Sequence, residues 1–175
     1  MQTAQSKYPN LRFSFTLATL GGNRANSLNS LGATVMQSIK NRGLQNILIN
    51  LMVMDYGSNS AGNCTLKSNG LCDMGASAVQ AAINLHNYYG VPYRLIELTP
   101  LIGENDIVDE IFSIADANTV SNFVRQNGLA GVHFWAFDRD VDCPFNPAGS
   151  PATCNGVGNA GRLGYTNTFL NGLGL

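Results

Sequence analysis

Ile47-Leu48-Ile49-Asn50-Leu51-Met52-Val53-Met54 is an apolar run broken only by Asn50. Near-continuous apolar character over so short a stretch is what a buried strand of a parallel sheet requires. Asp55-Tyr56 ends the run, and a long polar loop holding Cys64 and Cys72 follows. Parallel strands are joined by crossovers, so helices and further strands should flank this one.

They do so on both sides. Upstream, Leu11-Arg12-Phe13-Ser14-Phe15-Thr16-Leu17 alternates as a strand does. Between the two, Leu31, Val35, Met36 and Ile39 recur at helical spacing, with Ser27 and Ser30 as candidate N-caps and Gly43 as the stop. Downstream, Asp73 precedes a helix with Met74, Ala78, Ala81, Ala82 and Leu85 on its apolar face, ended by Gly90 and Pro92. Residues 94–98 read as a third strand. Asp116 is the candidate cap of a third helix carrying Val120, Phe123 and Val124, with Gly128 at its end. Residues 132–137 read as a fourth strand, and 165–170 as a short terminal helix. The order is βα four times over, within one domain spanning 1–175 whose first ten residues form a polar tail. Two architectures fit: a doubly wound sheet with helices on both faces, or half of a (β/α)8 barrel, which needs about 250 residues when complete.

Composition narrows the function classes. The 175 residues are 45% hydrophobic, enough for one core, and only 12% charged, with a net charge of −1. No basic stripe is available to neutralise phosphates, which excludes a nucleic-acid partner. No apolar run reaches membrane-spanning length, so no membrane partner is expected. The four cysteines form two close pairs, Cys64 with Cys72 and Cys143 with Cys154. Short loops closed by such pairs read as disulfides of an oxidising compartment. Neither pair has C-x-x-C spacing and His86 and His133 lie elsewhere, so no metal site is expected. The polar start shows no signal peptide. A secreted parent with no signal in this chain suggests an excerpt of a longer protein.

Two local motifs are set aside. Gly156-Val157-Gly158-Asn159-Ala160-Gly161 matches G-x-G-x-x-G but lacks the strand before it and the strand–helix context after it, so no dinucleotide cofactor, and no other cofactor, is expected. Asp138-Arg139-Asp140-Val141-Asp142 lacks the turn glycine and distal glutamate of a calcium loop, and reads as a polar strand end with Arg139 paired to a neighbouring acid. Gly21-Gly22-Asn23-Arg24 follows a strand and precedes a helix, which suits an anion, but it lacks P-loop spacing. More telling is the rim at the strand C-termini. Asp55-Tyr56 ends the second strand, Glu104-Asn105-Asp106 follows the third, and the sole tryptophan, Trp135, lies on the fourth, which Asp138 ends. An aromatic face with carboxylates beside it suits a sugar ring with polar substituents.

These segments resemble a known family. The stretch from Asn50 to Gly57 is similar to the sixth-strand segment of bacterial-type family 18 chitinases. Glu97-Leu98-Thr99-Pro100-Leu101-Ile102-Gly103-Glu104-Asn105-Asp106 resembles the seventh, and Phe134-Trp135-Ala136-Phe137-Asp138-Arg139-Asp140 the eighth. Phe13-Ser14-Phe15-Thr16-Leu17 resembles the fifth, with Ala18 where those enzymes often have proline. The resemblance implies a C-terminal half-barrel. It implies that Tyr56 bonds the acetamido group of the sugar, Met54 lines the floor, Asp55 and Asp106 lie in or beside the cleft, and Trp135 stacks beneath the ring. In that family the substrate's acetamido oxygen is the nucleophile and one glutamate donates the proton. The acid sits in a D-x-x-D-x-D-x-E motif on the fourth strand. Glu97, Glu104 and Glu110 are the only glutamates of this chain, and none closes such a motif.

The reading is therefore an α/β chain, a (βα)4 half of a TIM barrel with parallel strands and crossover helices. It is expected to keep part of a chitin or N-acetylglucosamine subsite (Met54, Asp55, Tyr56, Asp106, Trp135), to bind such oligosaccharides weakly, and to have no catalytic residue of its own. Open edges and an exposed inner face predict a homodimer that closes an eight-stranded barrel. The alternative is a non-catalytic interaction domain that self-associates without binding sugar.

Overall fold

The computed structural model describes residues 1–144 and 149–175. Gln2–Lys7 forms a short helix (α1) with no buried residue, where the sequence reads as a tail. It is tied down by side chains, Gln2 donating to the Arg42 carbonyl and Gln5 to that of Gln45.

Phe13–Ala18 (β1) turns Phe15 and Leu17 into the core and leaves Ser14, Thr16 and Ala18 on the opposite, exposed face. Ser30–Asn41 (α2) crosses to Ile47–Met52 (β2), which runs parallel to β1. The cap of α2 is Asn29, whose side chain accepts the Gly32 N–H, rather than Ser27 or Ser30. Met74–Tyr89 (α3) is capped by Asp73 and stops at Gly90, which takes the left-handed conformation that favours glycine. A 3₁₀ turn at Tyr93–Leu95 then leads into Ile96–Thr99 (β3), parallel to β2, so the third strand starts two residues later than expected.

A feature with no sequence signal follows: Gly103–Glu104 (β4) and Ile111–Phe112 (β5) form a small antiparallel hairpin. Ile114–Asn127 (α4) begins with a capping box, in which Ser113 is the cap and Asp116 bonds back to it. Asp116 thus sits inside the helix rather than capping it. Gly131–Val132 (β6) pairs parallel with β3, and the chain continues along that edge through a bridge between Leu101 and Trp135. The fourth strand is therefore shorter than residues 132–137 suggest, and Phe137–Arg139 is a 3₁₀ turn. Gly164–Leu173 (α5) closes the chain.

The sheet order is β1-β2-β3-β6, the order of the chain itself. A doubly wound sheet reverses direction part-way and carries helices on both faces. Here the strands follow one another without reversal, and only one face is covered. Ile49, Leu51, Ile96 and Leu98 pack with Met74, Ala78, Ala81, Leu85, Val120 and Val124 of α3 and α4. The other face carries a polar ladder, with Asn50 donating to Thr16 at 3.2 Å and Thr99 donating to Asn50 at 2.8 Å. Below it Ser14 donates to Glu97 at 2.6 Å, and His133 lies 3.5 Å from the same carboxylate. This is half of a β/α barrel, with its inner face open.

Both expected disulfides are present, Cys64–Cys72 and Cys143–Cys154, and no described cysteine is free. Among the described residues no helix is long and apolar enough to cross a membrane.

Candidate functional site

The strand C-termini open into a cavity of about 540 Å3. Four of the five residues read from the sequence line it: Met54, Asp55, Asp106 and Trp135. Trp135 is 64% exposed, so much of its surface is free. Met52, Thr16, Thr99 and Leu101 complete the floor, and Arg139, Ser150 and Ala152 the far wall.

Tyr56 does not line the cavity. It is 2% exposed and lies in the hydrophobic core, and its hydroxyl has no hydrogen-bond partner among the described residues. Burial, with Glu110 and Asp116 nearby, raises the phenol well above its usual range. The hydroxyl that the resemblance assigns to a sugar contact is thus enclosed in the core of this chain. The cause is local. Strand alternation puts Met54 and Tyr56 on one face, but the intervening Asp55 has φ 48°, a left-handed conformation that breaks the alternation.

That conformation is held by the loop between β4 and β5. Asp55 donates its N–H to the Asn105 side-chain oxygen at 3.2 Å. Its own Oδ1 accepts the N–H of Asp106 at 2.9 Å and of Ile107 at 3.4 Å. Asn105 is buried, and its amide nitrogen donates to the carbonyls of Leu101 and Gly103. Burial raises the Asp55 carboxyl, opposed by the bonds from the loop and reinforced by the Asp106 charge.

Arg139 was missed as a wall residue, and its expected acid partner is not found among the described residues. It is 2% exposed and donates to the carbonyls of Ile102, Glu104 and Pro151 and to the Ser150 hydroxyl. It fastens the second disulfide loop to the rim. Burial lowers its basicity, while Asp106, Tyr165, Glu104 and Asp55 hold it up. Asp140 and Asp142 of that segment are structural, while Asp138 is exposed. Asp140 accepts the N–H groups of Tyr165 and Thr166 at the start of α5. Asp142 accepts those of Ala160 and Gly161 and the Asn155 side chain. The glycine-rich stretch is thus wrapped around an aspartate of its own chain. No group of three or more metal-ligating side chains occurs among the described residues.

None of the three glutamates lies on the cavity wall. Glu97 is on the open face of the sheet with Ser14 and His133. Glu104 is in the hairpin with one oxygen buried and unpartnered. Glu110 is 1% exposed, accepts the Tyr56 N–H at 2.9 Å, and is pushed up to about 7 by burial, offset by its backbone bonds and reinforced by Asp55.

Known proteins resemble this chain in sequence and in fold. The chain is 26% identical over 119 residues to a probable bifunctional chitinase/lysozyme of Escherichia coli (strain K12), covering 63% of this chain and 13% of that protein. It is 25% identical over 119 residues to endochitinase 11 of Metarhizium anisopliae, covering 22% of its length. The chain is chitinase-like. No protein-family model matches it. The crystal structure of the catalytic domain of a hyperthermophilic chitinase from Pyrococcus furiosus superposes with a TM-score of 0.75 at 23% identity, covering 99% of this chain and 54% of that one. A catalytic-site mutant of active domain 2 of a chitinase from the same organism, complexed with chito-oligosaccharides, superposes with a TM-score of 0.74. The chain thus spans about half of those solved domains and under a quarter of the curated relatives. The resemblance read from the strand-end segments is borne out, as is the half-barrel architecture.

Proposed function

We propose that this chain is a chitinase-related half-barrel that keeps part of a chito-oligosaccharide subsite and does not hydrolyse chitin by itself. The observation that carries this reading is the composition of the cavity: an exposed Trp135, with Asp55 and Asp106 beside it and no glutamate on its wall. The indole offers a flat apolar face to a pyranose ring, Met54 borders it, and the two carboxylates accept from hydroxyl or acetamido N–H groups. Without a positioned proton donor, a rate factor of about 10²–10⁴ is missing, and the absent half of the cleft removes orientation as well. Titrating chito-oligosaccharides while following Trp135 fluorescence tests binding, and release of a chromophore from a chitobiose glycoside tests turnover. No spectral or calorimetric response at millimolar sugar overturns the subsite, and robust turnover overturns the inactivity.

The partner that supports closure best is a second copy. Among the described residues β1 and β6 each have one unpaired edge, and the face between them exposes Met52 and Trp135. Unpaired edges favour association, and identical halves can pair reciprocally. Sedimentation at micromolar concentration decides, and a stable monomer overturns it. Dimerisation without any sugar response would favour the non-catalytic interaction domain. The two disulfides support an oxidising, extracellular setting for the parent protein.

A further inference from the structure

The loop between β4 and β5 grips the chain leaving β2 at three points. Asn105 takes the Asp55 N–H, the Asp55 carboxylate takes the N–H of Asp106 and of Ile107, and Glu110 takes the N–H of Tyr56. The first and last points are joined, because the Asn105 N–H donates to the Glu110 carbonyl at 2.9 Å. Asp55 lines the cavity, and its Oδ2 has no protein donor among the described residues. The direction of that oxygen is therefore set by the grip on Asp55 and Tyr56. Glu110 is its most buried acidic member, and no Lys, Arg or His among the described residues comes within ion-pair distance of it.

We propose that Glu110 is a positioning residue for the cavity: the charge on its buried carboxyl sets how firmly Tyr56 is held, and thereby how Asp55 presents its free oxygen. As a carboxylate it accepts a charge-assisted bond from the Tyr56 amide, which is roughly twice as strong as a neutral one. A proton added at Oε1 faces the Cys72 sulfur 4.0 Å away, a weak acceptor. A proton added at Oε2 competes with the Tyr56 N–H. Either placement weakens the grip. The surroundings supply no cation to resist protonation. Asp55 faces Glu110 from the β2 exit, and Asp106 and Asp109 belong to its own loop. Asp116, at the start of α4, and Glu110 both act on the Tyr56 phenol. Arg139 acts on Asp55. Burial and the Asp55 charge place the titration near neutrality, at about 7.

What this does to a ligand rests on the sugar-subsite reading; the grip itself does not. The test is amide chemical shift against pH on the full ¹⁵N-labelled chain, between about pH 5.5 and 8.5, for wild type and Glu110→Gln. The Tyr56 and Asp106 amides are expected to titrate together in the wild type and to stay flat in the variant. Chito-oligosaccharide affinity is expected to change several-fold with the same midpoint, in the wild type only. A flat Asp106 amide beside a titrating Tyr56 overturns the proposal, since the charge is then felt only locally. So does a titration that persists in Glu110→Gln, or none at Tyr56. If the variant does not fold, the wild-type Tyr56 and Asp106 curves decide between coupling and its absence. No sugar response at any pH, with both amides titrating as described, sinks the subsite reading and leaves the positioning role standing.

Discussion

The Asp55 carboxylate accepts the backbone N–H of Asp106 at 2.9 Å, so residues from two different strand ends are locked side by side on the cavity wall. The bond orients Asp55 without using the Asp106 side chain, which leaves both carboxyl groups with oxygens for a ligand. Asp55→Ala should lose the ligand contact and also release the N–H groups of Asp106 and Ile107. Asp106→Ala should lose only its own carboxylate. The affinity loss is therefore expected to be larger for Asp55→Ala, measured by calorimetric titration of a chito-oligosaccharide.

Trp135→Ala should weaken sugar binding by about 1 kcal/mol or more, because the ring offers the flat apolar surface of the cavity. Its effect on the urea midpoint should be small, since the side chain is largely exposed. An unchanged affinity would mean that the ligand sits elsewhere.

Tyr56→Phe tests the buried placement of the phenol. The hydroxyl is buried without a partner among the described residues, so removing it should leave stability unchanged or raise it by about 1 kcal/mol. Sugar affinity should not move. A clear loss of affinity would place the phenol in the subsite after all.

Glu110 gives the fold a pH dependence of definite sign. Burial pushes its carboxyl up to about 7, from an ordinary value of 4.5. The folded chain holds the proton more tightly than the unfolded one, so unfolding between these values releases it. Stability should fall as pH rises from about 4.5 through about 7 and then level off. Asp55, also raised, acts in the same sense. Urea midpoints across this range should show the slope in the wild type and a flatter profile in Glu110→Gln.

Gly75→Ala probes the contact of α3 with α4. A Cβ at Gly75 would lie 2.9 Å from Asp116 Oδ1 and 3.0 Å from its Cα, and the Gly75 N–H donates to that same oxygen. The strain should cost about 1–3 kcal/mol, against a helix-propensity gain of about 1 kcal/mol. Thermal melts should show a net loss, while Ala76→Gly should lose only the propensity.

The fold was legible where one physical signal dominated. The apolar run of β2 and the Asp73 and Gly90 ends of α3 stand where patterning puts them. Caps were harder, because Ser27, Asn29 and Ser30 are all capping residues, and only backbone geometry selects Asn29. The hairpin strands have two residues each, too short for any period to show. In the cavity, Asp55, Asp106 and Trp135 were legible because strand ends share a rim, and Met54 from the family resemblance. Tyr56 was not, because the left-handed turn at Asp55 depends on the distant loop 105–107. The partners of Arg139 are backbone carbonyls, which carry no sequence signature.

The four strands all run the same way, and the two free edges belong to β1 and β6. Whatever continues the parallel ladder across both edges must bring its strands in the same direction, and so must place its own strand ends at the same mouth. For a second copy, the rotation axis then runs down the centre of the closed barrel. The two Trp135 rings would look at each other across one opening, and a sugar chain lying there would meet two antiparallel copies of one half-site. Such an opening has no intrinsic polarity. It could not tell the reducing end of a chain from the other, a distinction that only an unlike second half would restore.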